Sequence, residues 1–188
     1  MELLGGSSWS APAMLAIEQS GEERLSFRAR WETRPFEDAF YYSVRVALWK
    51  ERWGWGLQFL HHKLYLTNPP PQIEYFEFSH GWSLLTLQRV RRGGVLDWRI
   101  GVGPVIAHAE GKVRGREVFR RGGLFGGYYL CGAAVLAGVG KSFPIIGKLF
   151  ATIEGDATFS WAKVPIREGH ARTGNVAFHT LLGFGFRI

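Results

Sequence analysis

The sequence predicts an all-β chain, an eight-stranded antiparallel up-and-down transmembrane β-barrel over residues 24–188. Three observations carry that expectation. In the last stretch, Asn175 to Ile188, one face collects Val176, Phe178, Thr180, Leu182, Phe184, Phe186 and Ile188, and the other Ala177, His179, Leu181, Gly183, Gly185 and Arg187. A free strand edge this apolar invites aggregation, so it must be closed by another strand. Two-residue alternation then recurs along the chain, with short turns alternating with mostly longer loops. Finally, 188 residues that are 46% hydrophobic suffice for one domain with a full core. Yet no run reaches the roughly 18 apolar residues of a membrane-spanning helix. Any crossing must use strands.

Residues 1–23 read as an N-terminal extension, a tail or a short helix. The stretch contains Gly5-Gly6-Ser7-Ser8 and then an apolar patch from Pro12 to Gln19 that ends at Ser20-Gly21. A ninth strand there would break the even-strand rule of bacterial barrels. Met1-Glu2-Leu3-Leu4 has neither the basic nor the long apolar region of an export signal, and reads as a mature or engineered start. Regular alternation begins with Leu25, Phe27, Ala29 and Trp31 against Ser26, Arg28, Arg30 and Glu32. The second strand opposes Phe40, Tyr42, Val44, Val46 and Leu48 to Tyr41, Ser43, Arg45, Ala47 and Trp49, and Lys50-Glu51-Arg52 turns the chain. The third carries Trp53, Trp55, Leu57 and Phe59, runs on to His61-His62, and is broken by Asn68-Pro69-Pro70-Pro71.

The fourth strand, about Ile73 to Val90, changes phase. Phe76 and Phe78 share one parity, Leu85 and Leu87 the other, and a bulge near Gly81 would reconcile them. After Arg91-Arg92-Gly93-Gly94 the fifth strand carries Leu96, Trp98, Ile100 and Val102. A basic loop, about His108 to Gly123, leads to the sixth, from Tyr129 to Val139, with one face nearly all small. A turn at Ser142–Ile145 precedes the seventh, Leu149 to Trp161, and Val164 to Gly174 is the loop before the closing strand.

A soluble lipocalin-like binding barrel has the same alternation, so the faces must decide. Here the apolar face carries Trp31, Trp53, Trp55, Trp98, Phe159 and Trp161, several at strand ends where aromatic girdles meet a lipid interface. The polar face carries Arg28, Arg30, Glu32, Arg45, Asp97, Arg99, Glu154, Asp156 and Arg187, both signs that an internal ion-pair network requires. An eight-strand interior is filled by side chains, so no porin is expected. Net charge is +7 with pI about 9.9, but no nucleic-acid motif is present. The single Cys131 excludes an internal disulfide, and no helix follows Gly101-Val102-Gly103 to make a dinucleotide fingerprint.

Gly183, Phe186 and Ile188 resemble the C-terminal assembly signal of bacterial outer-membrane proteins. The architecture of residues 24–188 resembles the small eight-stranded outer-membrane barrels. That resemblance implies an outer-membrane monomer with a periplasmic C-terminus, surrounded by outer-membrane lipid, recognised by the barrel assembly machinery, and needing no cofactor. Two functions are open under it. In the first, the barrel is structural or surface-interacting, and its basic loops contact lipopolysaccharide. Lys112, Arg114, Arg116, Arg120 and Arg121, with Arg167 and Arg172 of the last loop, would then meet its phosphates. In the second, resemblance to the lipid A deacylases implies a His and Ser site near the outer rim, with His80, Ser83 and Glu77 as candidates. The three-residue spacing of His80 and Ser83 puts them on opposite faces unless the bulge intervenes, so a non-enzymatic role is favoured. His62 and His80 alone do not make a metal site, and none is expected.

Overall fold

A computed structural model describes residues 1–37, 40–124 and 126–187. Its strands are β1 (Glu2–Ser10), β2 (Ala13–Gln19), β3 (Leu25–Ala29), β4 (Trp31–Glu32), β5 (Tyr42–Lys50), β6 (Trp53–Leu66) and β7 (Ile73–Arg91). They continue as β8 (Asp97–Ala107), β9 (Glu110–Val113), β10 (Arg116–Glu117), β11 (Tyr129–Ile146), β12 (Leu149–Ile166) and β13 (Gly169–Phe186). All pairings are antiparallel. Eight strands close a ring in the order β1, β5, β6, β7, β8, β11, β12, β13 and back to β1. The up-and-down eight-stranded barrel expected from the sequence is the fold.

One strand of the ring corrects the sequence reading. Residues 1–23 are not an appendage, because β1 pairs with β13 from Glu2↔Gly185 to Ser10↔Ala177 and with β5 from Glu2↔Arg45 to Gly5↔Tyr42. The stretch beginning at Leu25 instead forms a hairpin with β2, and β2 extends the sheet from the start of β13. The residues of the Gly-Ser run are small, and smallness is what the seam needs. A Cβ on Gly6 would lie 2.0 Å from the Thr180 carbonyl oxygen, and one on Gly183 2.1 Å from that of Leu3. The joint to β5 is short. Beyond Gly5 the β5-facing edge of β1 meets side chains, with Ser8 Oγ 2.7 Å from Thr33 Oγ1 and 3.2 Å from His62 Nδ1.

Glu51–Arg52, residues 92–96 and Gly147–Lys148 turn the chain at one end of the barrel, called the turn end, where Met1 also donates to the Phe186 carbonyl. β11 runs on to Ile146, so the turn falls at Gly147–Lys148 and not at Ser142–Ile145. The opposite end carries the longer connections and is called the loop end.

On the turn-side half the outer surface is a belt of exposed apolar side chains to which every ring strand contributes: Leu3, Leu48, Trp55, Leu87, Ile100, Val135, Phe159 and Phe178 are examples. Such a belt around a closed barrel needs hydrocarbon as its solvent. Toward the loop end the pattern inverts. Glu18, Glu74, Lys163 and Arg172 turn outward, while Leu15, Ile17, Leu64, Phe76, Phe78, Val113, Val164 and Ile166 are buried inside. The chain is therefore a transmembrane barrel whose wall continues into water around an apolar core of its own.

That inversion explains the fourth strand of the sequence reading. From Phe76 onward and outside the bulge, the even-numbered residues of β7 point inward, namely Phe76, Phe78, Trp82, Leu84, Thr86 and Gln88. What changes is which face meets apolar surroundings, from the outside at Leu87 to the inside at Phe78. The bulge near Gly81 is present. His62 pairs with Trp82 and Leu64 with Phe78, so Lys63 opposes Ser79, His80 and Gly81. Two extra residues leave the phase unchanged. Trp31, expected in the lipid-facing girdle, lies inside the loop end against Phe78 at 5.8 Å, and Arg28, Arg30 and Glu32 are exposed and not interior.

Candidate functional site at the loop end

Within the membrane the interior is closed by polar side chains that satisfy one another. Arg45 bridges Glu2 (2.6 Å) and Glu154 (2.9 Å), and Arg99 bridges Glu154 (2.9 Å) and Asp156. Nearer the loop end Trp82 donates to Ser160 (2.8 Å), and His179 lies between Tyr41 and Thr158. His62 reaches Ser8, Ser10 and Asn175. These buried groups are structural and expose no reactive atom.

The basic residues singled out from the sequence divide into two sets. Lys112 is held by Glu74 (2.8 Å), Arg114 by Gln19 (3.1 Å) and Glu22 (3.6 Å), Arg116 by Glu22 (3.5 Å), and Arg172 by Glu18. Lys112 thus ties β9 to β7, and the other three tie the β9–β10 turn, β10 and β13 to the β2–β3 hairpin. Arg120 and Arg121 are exposed and pair with no carboxylate among the described residues, and Arg167 meets Glu168 only at 4.0 Å. Overall the loop end is nearly neutral, with thirteen Lys and Arg against ten Asp and Glu among the described residues. The excess charge lies at the turn end, where eight basic residues face two acidic ones. Several stack on aromatic rings there: Arg92 over Trp49 at 4.3 Å, Arg89 over Trp53 at 4.9 Å, Arg91 over Trp53 at 5.0 Å, and Arg187 over Phe150 at 5.5 Å. The sequence listing of basic loops missed this grouping because the four turn-end segments are far apart along the chain.

The serine and histidine candidates are not assembled as a hydrolytic site. Ser83 Oγ lies 3.1 Å from Nδ1 of His61, not from His80, and Glu77 contacts neither. His80 uses the same Nδ1 toward Ser79 Oγ (3.2 Å) and Glu110 Oε1 (3.2 Å). A relay needs serine on one imidazole nitrogen and the carboxylate on the other, so this arrangement cannot pass a proton from a nucleophile. Gly81 shapes the neighbourhood. Its φ of 143° lies in the region that favours glycine, and a Cβ would meet Ser83 Oγ at 2.8 Å.

The bulge also separates His80 from His62 and sets it beside His108 and Glu110, a grouping that sequence spacing did not show. His108 Nε2 is 3.0 Å from Glu110 Oε1, and the ring centroid stands 5.1 Å from that of Phe119 and 4.9 Å from that of Tyr128. Burial pushes the His108 imidazole below its usual pKa, although Glu110 pulls it back. The only sequence signal was the i, i+2 spacing of His108 and Glu110. Their partner lies across the sheet, where register rather than sequence decides contact. Of the C-terminal signal, Gly183 faces inward at the seam and Phe186 faces outward, while Ile188 lies outside the described residues.

No family model and no curated protein matches the chain. Solved structures are similar to it. The crystal structure of Ail, the attachment invasion locus protein of Yersinia pestis, covers 98% of this chain and 99% of its own at 14% identity and a TM-score of 0.42. The outer membrane protein OprG from Pseudomonas aeruginosa covers 98% and 94% at 11% identity and a TM-score of 0.47. Ail in complex with the heparin analogue sucrose octasulfate covers 98% and 99% at 15% identity and a TM-score of 0.39. The chain's own strand order makes it a closed up-and-down barrel of eight antiparallel strands.

Proposed function

We propose that the protein is a non-enzymatic surface-interaction barrel of a bacterial outer membrane, with its turn end in the periplasm. Its loop end contacts lipopolysaccharide phosphates through Arg120, Arg121 and Arg167. The observation that carries this reading is the division of the basic residues. Lys112, Arg114, Arg116 and Arg172 are already paired with carboxylates, whereas Arg120 and Arg121 are exposed and without a carboxylate partner among the described residues. Guanidinium forks in that state suit phosphate oxygens. The Gly183 and Phe186 positions serve the assembly machinery in the same reading.

The test is binding of the folded barrel to bisphosphorylated and to dephosphorylated lipid A. Replacing Arg120, Arg121 and Arg167 by Gln should weaken binding to the phosphorylated form at least about ten-fold and flatten its salt dependence, since each cation at an anionic lipid surface contributes about 1 kcal/mol. Replacing Lys112, Arg114 and Arg116 should change it less. Equal binding of both lipid forms would sink the proposal.

A further inference from the structure

We propose that His80, His108 and Glu110 form a binding site for a divalent first-row transition-metal ion, for which Zn²⁺ is the probe. The site is independent of the lipopolysaccharide reading. Nδ1 of His80 and Nε2 of His108 both face one carboxylate oxygen, Glu110 Oε1, at 3.2 and 3.0 Å. All three ligand atoms lie within 4.8 Å of one another. Ligand atoms about 2.1 Å from a tetrahedral centre stand roughly 3.4 Å apart, so a small adjustment of three side chains, with each imidazole backing off Glu110 by a few tenths of an ångström, seats an ion. Ser79 Oγ, 3.2 Å from the same His80 nitrogen, supplies a further oxygen at the rim.

The fold holds these groups in place. Glycine at position 81 lets β7 bulge, and the Gly81 carbonyl then accepts the His108 backbone N–H at 3.1 Å, which fixes the segment after β8 beside His80. Phe119 and Tyr128 pack on the His108 ring. Its Nδ1 is buried without a hydrogen-bond partner among the described residues, and Nε2 is the ring nitrogen that faces Glu110. The other two ligands are open to water, with side-chain exposures of 41% for His80 and 32% for Glu110, so an ion has a path in and a coordination position left free. Two imidazole nitrogens with one carboxylate suit Zn²⁺ and its neighbours in the first transition row. Ca²⁺ and Mg²⁺ prefer oxygen-only sets. A bound ion would pin the start of β9 to the β7 wall.

The experiment is calorimetric titration of the untagged, full-length folded barrel in detergent with Zn²⁺ alone, with Co²⁺ as a spectroscopic substitute. One ion should bind per chain, and Co²⁺ should give the visible absorption of a four- or five-coordinate centre. His80→Ala and Glu110→Gln should each weaken binding by at least roughly 100-fold and abolish that absorption. Both side chains are partly exposed, so the fold should persist and is checked by heat-dependent migration on gels. His170→Ala, at a separate His–Glu contact with Glu18, should change nothing. The proposal is overturned if Zn²⁺ uptake is not saturable, if it survives both site variants undiminished, or if His170→Ala removes it.

Discussion

Arg99 illustrates how a residue behaves when hydrocarbon surrounds the barrel that encloses it. Its guanidinium lies between Glu154 and Asp156, all three nearly inaccessible to water. Arg99→Ala leaves two carboxylates without their shared cation, and breaking such a buried pair costs about 3–5 kcal/mol. Urea unfolding of the barrel in lipid vesicles should show that loss. The double variant Arg99→Ala with Asp156→Ala should recover part of it, since one of the uncompensated charges is then gone. His80 carries a second expectation at this scale. No histidine among the described residues offers one nitrogen to a serine and the other to a carboxylate. Lipid A incubated with the protein should therefore keep every acyl chain when examined by mass spectrometry. Release of a chain that stops in His80→Ala would contradict the surface-interaction reading.

β1 is where sequence and structure diverge most among the elements. If residues 1–23 were an appendage, deleting Met1 to Ser10 would leave a folded barrel. Because β1 closes the ring, the deletion should instead abolish the SDS-resistant, heat-modifiable form. Gly6→Val and Gly183→Val should act in the same direction, as each would thrust a side chain into backbone about 2 Å away, beyond the 1–3 kcal/mol typical of overpacking. The other seven ring strands were legible because each sets large apolar residues against charged or small ones at alternate positions over most of its length, β7 with one change of apolar face. β1 has only Leu3 and Trp9 as large residues on its lipid-facing side, with Gly5 and Ser7 between them, so its alternation is faint. Leu25 to Trp31 was the opposite case, with clear alternation and the wrong place. Its apolar face packs inside the water-exposed end, and periodicity alone does not say which side of a strand is wet. The metal-type cluster was illegible for another reason, since it depends on two extra residues in β7 and on cross-strand register.

For the whole molecule, the filled interior implies no conductance. Planar bilayers with the protein inserted should show no discrete current steps, because Arg45 and Arg99 reach Glu154 across the interior and the buried Gln58 and Gln88 fill it beside them. The turn-end cations make a further expectation. Replacing Arg89, Arg91, Arg92 and Arg187 by Gln should reduce insertion into anionic vesicles at least about ten-fold at low salt, with little change for zwitterionic ones, at about 1 kcal/mol per charge. Equal effects on both vesicle types would assign these residues to aromatic packing alone. The uneven joints of the ring also decide how it comes apart. β1 meets β5 through four residue pairs, whereas β12 meets β13 through eighteen. Heat or force should therefore part the wall between β1 and β5 first, and amide hydrogens on Tyr42 to Arg45 should exchange ahead of those in β12. The barrel then unrolls into a single sheet. β5 becomes one border, and β1, still hemmed to β13, becomes the other, so the two ends of the chain travel together.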